Sequence, residues 1–534
     1  MSYIIKCEIN GIQEFIFNIK SKGAAKALKA RSFLVDALCL LAEENFASSF
    51  TNCKKIFTGG GNVYLEIDEA NWDAEKFETL KNKISEQLIP YQILFSGTYE
   101  KLSDENNFGK FIQSLNEKLN REKLQFGKHS YDLFEPRQVI YKDLKVYREF
   151  SKSYSENISY TINDENTTQQ HIIGEDFMRL QNKILKLNKG GVRTLIPLPL
   201  WNHSLIQVHK EYINKQKEEH KEDKDFNVPE AGDIISFEDL AYFSKQRTGT
   251  DNIGVLKLDI DNLGKLFQAL KARKPNQKLS ERLRTFFTNN IIALLNKEIK
   301  TSKDNIRFSE NIYTVYAGGD DCFFIGAWDA ITEFAILLKK DFEIFEQSLR
   351  KDIPSIEKSI TLSAAVIIVD AHFPVVRFAE LAEDALKTIK NIREQDGEKL
   401  KNRISFMGRH FSWDEFAELV AVKNTLNEMI DKDGIAKAFL QRIIHSFENS
   451  DTLYWQQCTP AKPFDPAILW RFHYSFRDIR HNDTFKKKYY DTFFSQSNGY
   501  YKKYVWSHFS PGKELSQIMP VAARWAELLN RNKN

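Results

Sequence analysis

Two short acidic motifs in a fixed order constrain this chain more than any other feature. The first, Asp259 and Asp261, ends the apolar run IGVLKLDID, and the second is the GGDD of Gly318, Gly319, Asp320 and Asp321. Residues two apart on a strand face the same side, so Asp259 and Asp261 are expected to project together. Gly318 and Gly319 permit a tight hairpin and the close approach of a phosphate chain. If the two strands are neighbours, three or four carboxylates converge at one sheet edge, and their repulsion calls for cations. Mg2+ or Mn2+ takes oxygen ligands, and a two-ion site can activate a hydroxyl while holding the triphosphate it attacks. Alone, an Asp pair after a strand reads more readily as a helix cap. The GGDD that follows turns the reading toward a metal site for nucleotidyl transfer.

The elements around these motifs form a repeated order. A strand at Tyr3 to Ile9, a helical region holding Ala24 to Asn45, two short strands flanking TGGGN (Thr58 to Asn62), a helix around Trp72 to Leu88 and a strand around Tyr91 to Phe95 read as β-α-β-β-α-β. A helix is expected over Phe108 to Leu124. The order returns from Ile253: strand IGVLKLDID, helices to about Lys300, strand IYTVY, turn AGGDD, strand CFFIG, helix Trp328 to Leu349, strand TLSAAVIIV and helix Val376 to Ile392. Laid on each other, the halves place Glu8 and Asn10 at Asp259 and Asp261, and Gly61 and Asn62 at Asp320 and Asp321. The chain therefore reads as α+β, with two ferredoxin-like units of which one lost most of its carboxylates. The expected division is 1–129 and 236–411 for the two units, 130–235 for a connecting domain, and 412–534 for an aromatic-rich helical domain ending in a helix at Ala522 to Asn530.

Composition adds mainly exclusions. With 76 basic and 73 acidic residues the net charge is only +3, so bulk charge makes no case for nucleic acid. The local run Lys486, Lys487 and Lys488 beside Tyr489 and Tyr490 reads first as a solvated helix end. The run KQKEEHKEDKD at Lys215 to Asp225 reads as an exposed loop or a fraying helix. No apolar stretch is long enough for a membrane span and the amino terminus has no signal-peptide layout, so a cytoplasmic protein is expected. Five scattered cysteines, none in a CxxC pair, argue against a disulfide framework or structural zinc.

Two further features suit a nucleotide. Asn262, Leu263 and Gly264 open a helix straight after the strand and offer backbone N–H groups to a phosphate. Lys387 and Lys390 share a helix, and Lys390 either reaches phosphate oxygens as a point charge or is simply solvated.

NGIQEFIF, KALKARSFLVD and GGGN in the first half, with LKLDIDNLGKLF, YAGGDD, TLSAAVIIV and FAELAEDALK in the second, resemble the large palm-domain subunit of type III CRISPR effector complexes. The closing VAARWAELLNR is similar to the III-A form, and the second unit is similar to GGDEF-type cyclases. The resemblance implies two palm domains in a subunit that target RNA switches on. It would work beside guide RNA and the backbone, small and crRNA-end-capping subunits, converting ATP into cyclic oligoadenylates. Carried over by motif, Asp259, Asp320 and Asp321 would hold the metals with Asp261 beside them, and Gly318 and Gly319 would line the triphosphate. Gly59, Gly60, Gly61 and Asn62 would help seat a second ATP. Two departures stand out: the chain starts at the first palm and has no His-Asp dipeptide, so HD-type cleavage of single-stranded DNA is not expected, and residues 130–235 contain no cysteine for zinc. Transfer of AMP to another acceptor such as S-adenosylmethionine, and a non-catalytic scaffold, remain the alternatives.

Overall fold

The computed structural model describes residues 2–19, 24–88, 93–102, 107–124, 158–164, 179–180, 183–189, 198–222, 228–300, 306–318, 321–393, 399–447, 467–508 and 516–531. Among the expected features, Gly319, Asp320, Cys458 and most of 130–197 lie outside these residues.

The first unit contains strands β1 (Ser2–Asn10), β2 (Lys54–Gly59), β3 (Asn62–Asp68) and β4 (Leu94–Leu102), with helices α1 (Ile12–Phe17), α2 (Ala24–Ser49), α3 (Ala74–Leu88) and α4 (Phe108–Leu124). Its sheet has the order β2-β3-β1-β4, antiparallel throughout. Period-two patterning makes both faces of β1 useful: Ile5, Cys7 and Ile9 are buried on one, while Ile4, Lys6 and Glu8 meet α4 on the other. β4 begins at Leu94, later in the chain than the sequence suggested, and runs nine residues.

A small antiparallel sheet of β5 (Ile158–Asp164), β6 (Arg179–Leu180) and β7 (Lys183–Lys189) follows, then α5 (His203–Val208) and α6 (Lys210–Glu219), which carries the start of the charge run. Helix α7 (Phe237–Thr248) opens on a capping box made by Ser236 and Asp239 and closes on Gly249, whose φ of 85° suits glycine.

The second unit contains β8 (Asn252–Ile260), α8 (Leu263–Ala269), α9 (Arg273–Thr285), α10 (Ile291–Leu295), β9 (Ile312–Gly318), β10 (Asp321–Ala327), α11 (Trp328–Asp352), β11 (Leu362–Asp370) and α12 (Val375–Asn391). Two strands that the sequence did not announce, β12 (Arg403–Phe406) and β13 (Arg409–Ser412), extend this sheet to the order β13-β12-β11-β8-β10-β9. β12 joins β11 in parallel and every other pairing is antiparallel. Each strand has only four residues, too few for a clear alternation pattern.

The second sheet lies between two cores. Leu256, Leu258, Cys322 and Phe324 face α11 and the carboxy-terminal helices α13 (Trp413–Asp431), α14 (Ala438–Ser446), α15 (Ala467–Ser475), α16 (Asp483–Lys488), α17 (Tyr490–Phe494), α18 (Tyr500–Tyr504) and α19 (Ile518–Leu529). The opposite face buries Ile253, Val255, Phe323 and Ile325 in a core shared with the first unit, α5 and α7. No boundary cuts that core, so the two units are packed as one body. Trp525 of the closing motif is buried against Phe406 and Phe416, pinning α19 to the second sheet.

Candidate functional site

The face that β8 and β10 turn toward the first unit carries the acidic motifs. Asp321 starts β10 directly opposite Asp259, and Ser363 of β11 stands opposite Asp259 on its other side. Side chains of such partners lie about 5 Å apart at Cβ, on one face, so the two carboxylates are neighbours. Lys390, near the end of α12, makes an ion pair with Asp259; both side chains are about one quarter exposed. Two residues earlier on β8, the buried Lys257 pairs with Glu383 of α12. Burial works against the Glu383 charge, but Lys257 and Lys387 together hold its carboxyl below the ordinary range.

Two residues that the sequence reading passed over border this cluster. Burial and then the Asp321 charge push the Tyr316 phenol well above its usual value. Lys401 is close enough to feel both Asp261 and Asp259, and burial pulls its ammonium below the ordinary lysine value against those charges. Tyr316 stood in YAGGDD with no role assigned to it, and Lys401 belonged to no motif and lies two residues before the unanticipated strand β12.

Asp261 is fixed by hydrogen bonds to three residues distant in the chain. Its carboxylate is buried and accepts hydrogen bonds from Thr361 Oγ1 at 2.8 Å, Ser363 Oγ at 2.8 Å and the Asn402 N–H at 3.0 Å. With both oxygens engaged, it braces the turn after β8 and ties it to β11. Asn262 then takes a left-handed conformation at φ 57°, and α8 starts at Leu263, which is buried; space is open beside Gly264. Gly318 ends β9 opposite Asp321, also facing open space.

The first unit repeats this arrangement residue by residue. Glu8 faces Asn62 on one side and Ser96 on the other, as Asp259 faces Asp321 and Ser363. Asn10 donates to Ser96 Oγ at 2.8 Å, as Ser363 donates to Asp261. Lys123 on α4 pairs with Glu8 at 2.6 Å, and Lys6 donates to Asn116 at 2.6 Å. α4 and α12 are both 17 residues long, and Asn116 and Lys123 stand seven apart, as Glu383 and Lys390 do. What differs is charge: Asn62 and Asn116 replace Asp321 and Glu383, leaving Glu8 with two lysines.

The units also pack reciprocally. Tyr313 of β9 donates to the Ala25 carbonyl of α2, and Phe17 meets Phe323 at 4.7 Å between ring centroids. Conversely, Arg273 of α9 grips Glu66 of β3 at 2.7 Å, and Gly109 of α4 lies so near the end of α8 that a Cβ there would be 2.8 Å from two of its carbonyl oxygens. Each unit thus sets its crossover helices against the site-bearing face of the other, the pattern of a pseudo-twofold pair.

Among the described residues, no group of three or more His, Cys, Asp and Glu side chains is placed to hold a metal alone. Two opposed carboxylates do fit a magnesium ion, which is commonly held by one or two carboxylates together with substrate phosphates. No described helix is long and apolar enough to cross a membrane. Cys7, Cys39 and Cys322 are buried thiols outside any disulfide, as is the partly buried Cys53.

Comparison with known proteins gives consistent matches. The family model for the second palm domain of Cas10/Cmr2 matches residues 252–402, and that for Csm1 subunit domain B matches residues 1–138. A Methanocaldococcus jannaschii protein, a CRISPR system single-strand-specific deoxyribonuclease Cas10/Csm1 of subtype III-A, is 27% identical over 531 residues, covering 82% of this chain and 64% of its own. The chain therefore spans just under two thirds of that relative. Among solved structures, a Csm1-Csm4 cassette in complex with one ATP matches with a TM-score of 0.69 at 18% identity, over 99% of this chain and 70% of that one. A cassette in complex with cA4 matches with a TM-score of 0.68 at 18% identity, over 99% and 69%. At such identities the structural likeness establishes the fold.

Proposed function

We propose, because the chain belongs to the Cas10/Csm1 family of type III-A CRISPR systems, that it polymerises ATP into cyclic oligoadenylates at the Asp259–Asp321 face. The observation that carries this reading is the direct opposition of Asp259 and Asp321, with Lys390 at the mouth. In the proposal, Asp259 and Asp321, with Asp320 of the same motif, hold Mg2+ or Mn2+. Bound there, the metal would lower the pKa of an attacking hydroxyl and offset charge on the triphosphate. Lys390 leaves Asp259 to meet phosphate oxygens, while Gly318, Gly319 and the N–H groups from Asn262 to Gly264 leave room for the chain and donate to it. Asp261 keeps the turn rigid, a positioning role.

The first unit, read as a second palm, seats the partner ATP. Gly59, Gly60, Gly61 and Asn62 form its hairpin, and Lys123 and Lys6, which match Lys390 and Lys257, supply positive charge that only Glu8 offsets, because Asn62 stands where the second unit has Asp321. Holding two nucleotides face to face across the pseudo-twofold contact favours joining them, since orientation of reactants can lower a barrier by about 7 kcal/mol or more. The remaining division follows as a proposal: palms at 1–129 and 236–411, a connecting domain at 130–235 and a helical domain at 412–534. The partners would be a Csm4-type subunit, as in the matched cassettes, with guide and target RNA.

The test is mass spectrometry of products made by the assembled complex with ATP, Mg2+ and target RNA. Cyclic oligoadenylates that disappear on Asp321→Asn support the assignment. An AMP conjugate of another acceptor would transfer it to that chemistry, and the absence of any nucleotide product would leave a scaffold.

A further inference from the structure

The helix α15 turns two large aromatics outward that the proposed palm chemistry does not use. Trp470 is 74% exposed and Tyr474 is 61% exposed, while Ile468 and Phe472 bury the opposite side of the same helix. Exposing so much indole is costly unless a partner covers it. Trp470, Tyr474, Arg477 and His481 fall at i, i+4, i+7 and i+11, so four planar side chains follow one stripe from α15 into the turn beyond it. Arg477 lies over the Tyr474 ring at 4.4 Å, a stacked cation. With His473 and Arg480 these residues line an open groove of about 570 Å3. Among the described residues no carboxylate lines the groove, and Asp478 beside it is engaged by Arg442 at 2.5 Å and Arg477 at 3.0 Å.

The lining of the groove decides between partner classes. Among the described residues, the exposed large hydrophobics before residue 412 are aliphatic: Leu124, Val208, Val228, Ile344 and Leu381. Those after it are all aromatic: Trp470, Tyr474, Tyr490 and Trp506. Protein interfaces also favour Trp, Tyr and Arg, so the choice rests on charge: among the described residues the rings share the groove with three arginines and two histidines and no carboxylate, a lining that suits stacked bases on a phosphate backbone.

We propose that this groove binds single-stranded nucleic acid, with bases stacking on Trp470 and Tyr474 and phosphates meeting Arg477 and Arg480. The test titrates the full chain with an oligouridylate of about twelve nucleotides, within the range a stacking groove spans, and follows tryptophan fluorescence and anisotropy. Quenching is expected in the parent, with Trp470→Ala weakening binding about tenfold and Trp470→Phe restoring most of it, as loss of one stacking platform predicts. Arg477→Gln with Arg480→Gln should lower the salt slope of log affinity by about 1.4, or 0.7 per phosphate contact. A blunt RNA duplex, with its bases already stacked, should bind more weakly than the single strand. Because Trp470 is exposed, its replacement spares the core, and an unchanged thermal transition confirms folding. Oligonucleotide affinity unchanged by Trp470→Ala overturns the proposal, as does a Trp470→Ala protein that loses a protein partner while keeping its oligonucleotide affinity.

Discussion

Asp321 stands directly opposite Asp259 across the β8–β10 ladder, and so shares its face, although 62 positions separate them in the chain. Neither side chain contributes to a hydrophobic core. Asp321→Asn should therefore keep the fold while removing half of the opposed negative charge. Nucleotide product should fall by roughly two orders of magnitude or more, the scale of several kcal/mol of lost metal-centred stabilisation. Asp320→Ala with Asp321→Ala should abolish it. Product yield is read by mass spectrometry beside the thermal transition; full yield from a folded double variant would reject the site.

Lys390 and Lys123 hold matching places on α12 and α4 and can be tested as a pair. Lys390→Met frees Asp259 from its ion pair and removes a cation from the phosphates, so the KM for ATP should rise about tenfold, roughly 1.4 kcal/mol. Lys123→Met should weaken binding of a second nucleotide while leaving Mn2+ binding at the second unit unchanged. Calorimetry with a non-hydrolysable ATP analogue, in parent and variants, separates the two losses. Unaltered binding in both would make these lysines solvated counter-ions.

Much of this arrangement was legible in the sequence because it rests on short-range rules. The order of strands and helices, the face shared by Asp259 and Asp321, and the helix Phe108–Leu124 follow from periodicity and from turn glycines. So did the alignment of Glu8 with Asp259 and of Asn62 with Asp321, which the ladders reproduce pair for pair. Lys6 and Lys257 were visible in IKCEIN and LKLDID, each two residues before its carboxylate, but lysine inside a strand carries no meaning until a helix supplies Asn116 or Glu383. The bracing of Asp261 could not be read, because Thr361, Ser363 and Asn402 lie 100, 102 and 141 residues away. The strands β12 and β13 escaped for a related reason: four residues in each leave their pairing to tertiary contact.

The Glu66–Arg273 pair gives the contact between units a pH dependence. Arg273 is the main cause holding the Glu66 carboxyl below its ordinary value, against burial and with help from Ser2. A depressed carboxylate contributes stability that is complete above the ordinary glutamate value, about 4.5, and is lost as pH falls through the lower folded value. The parent should therefore lose stability below about pH 4.5 more steeply than Glu66→Gln does. Thermal melts across pH 3 to 7 in both proteins check the difference. Parallel curves would show that the pair contributes nothing to the contact.

The hairpin glycines of the first unit separate architecture from nucleotide seating. Gly60 has φ 57° and Gly61 has φ 82°, both in the left-handed region where a side chain costs about 1–2 kcal/mol. Their surroundings differ sharply. A Cβ on Gly61 would fall 2.1 Å from Ile12 Cδ1 and 3.4 Å from the Ile9 carbonyl, which lies in the strand bearing Glu8. A Cβ on Gly60 meets nothing within 4 Å. Gly61→Ala should thus lower the thermal transition clearly, because Ile12 must move in addition to the backbone strain. Gly60→Leu should cost only the backbone term, a few degrees at most in a chain of this size. Its side chain would project into the open space where the partner ATP is proposed to sit, so product should fall strongly while Mn2+ binding at Asp259 and Asp321 survives. Measuring melting temperature, Mn2+ affinity and product yield on both variants distinguishes the roles. A folded Gly60→Leu protein with normal yield would show that the first unit is purely architectural, and that one palm suffices for the chemistry.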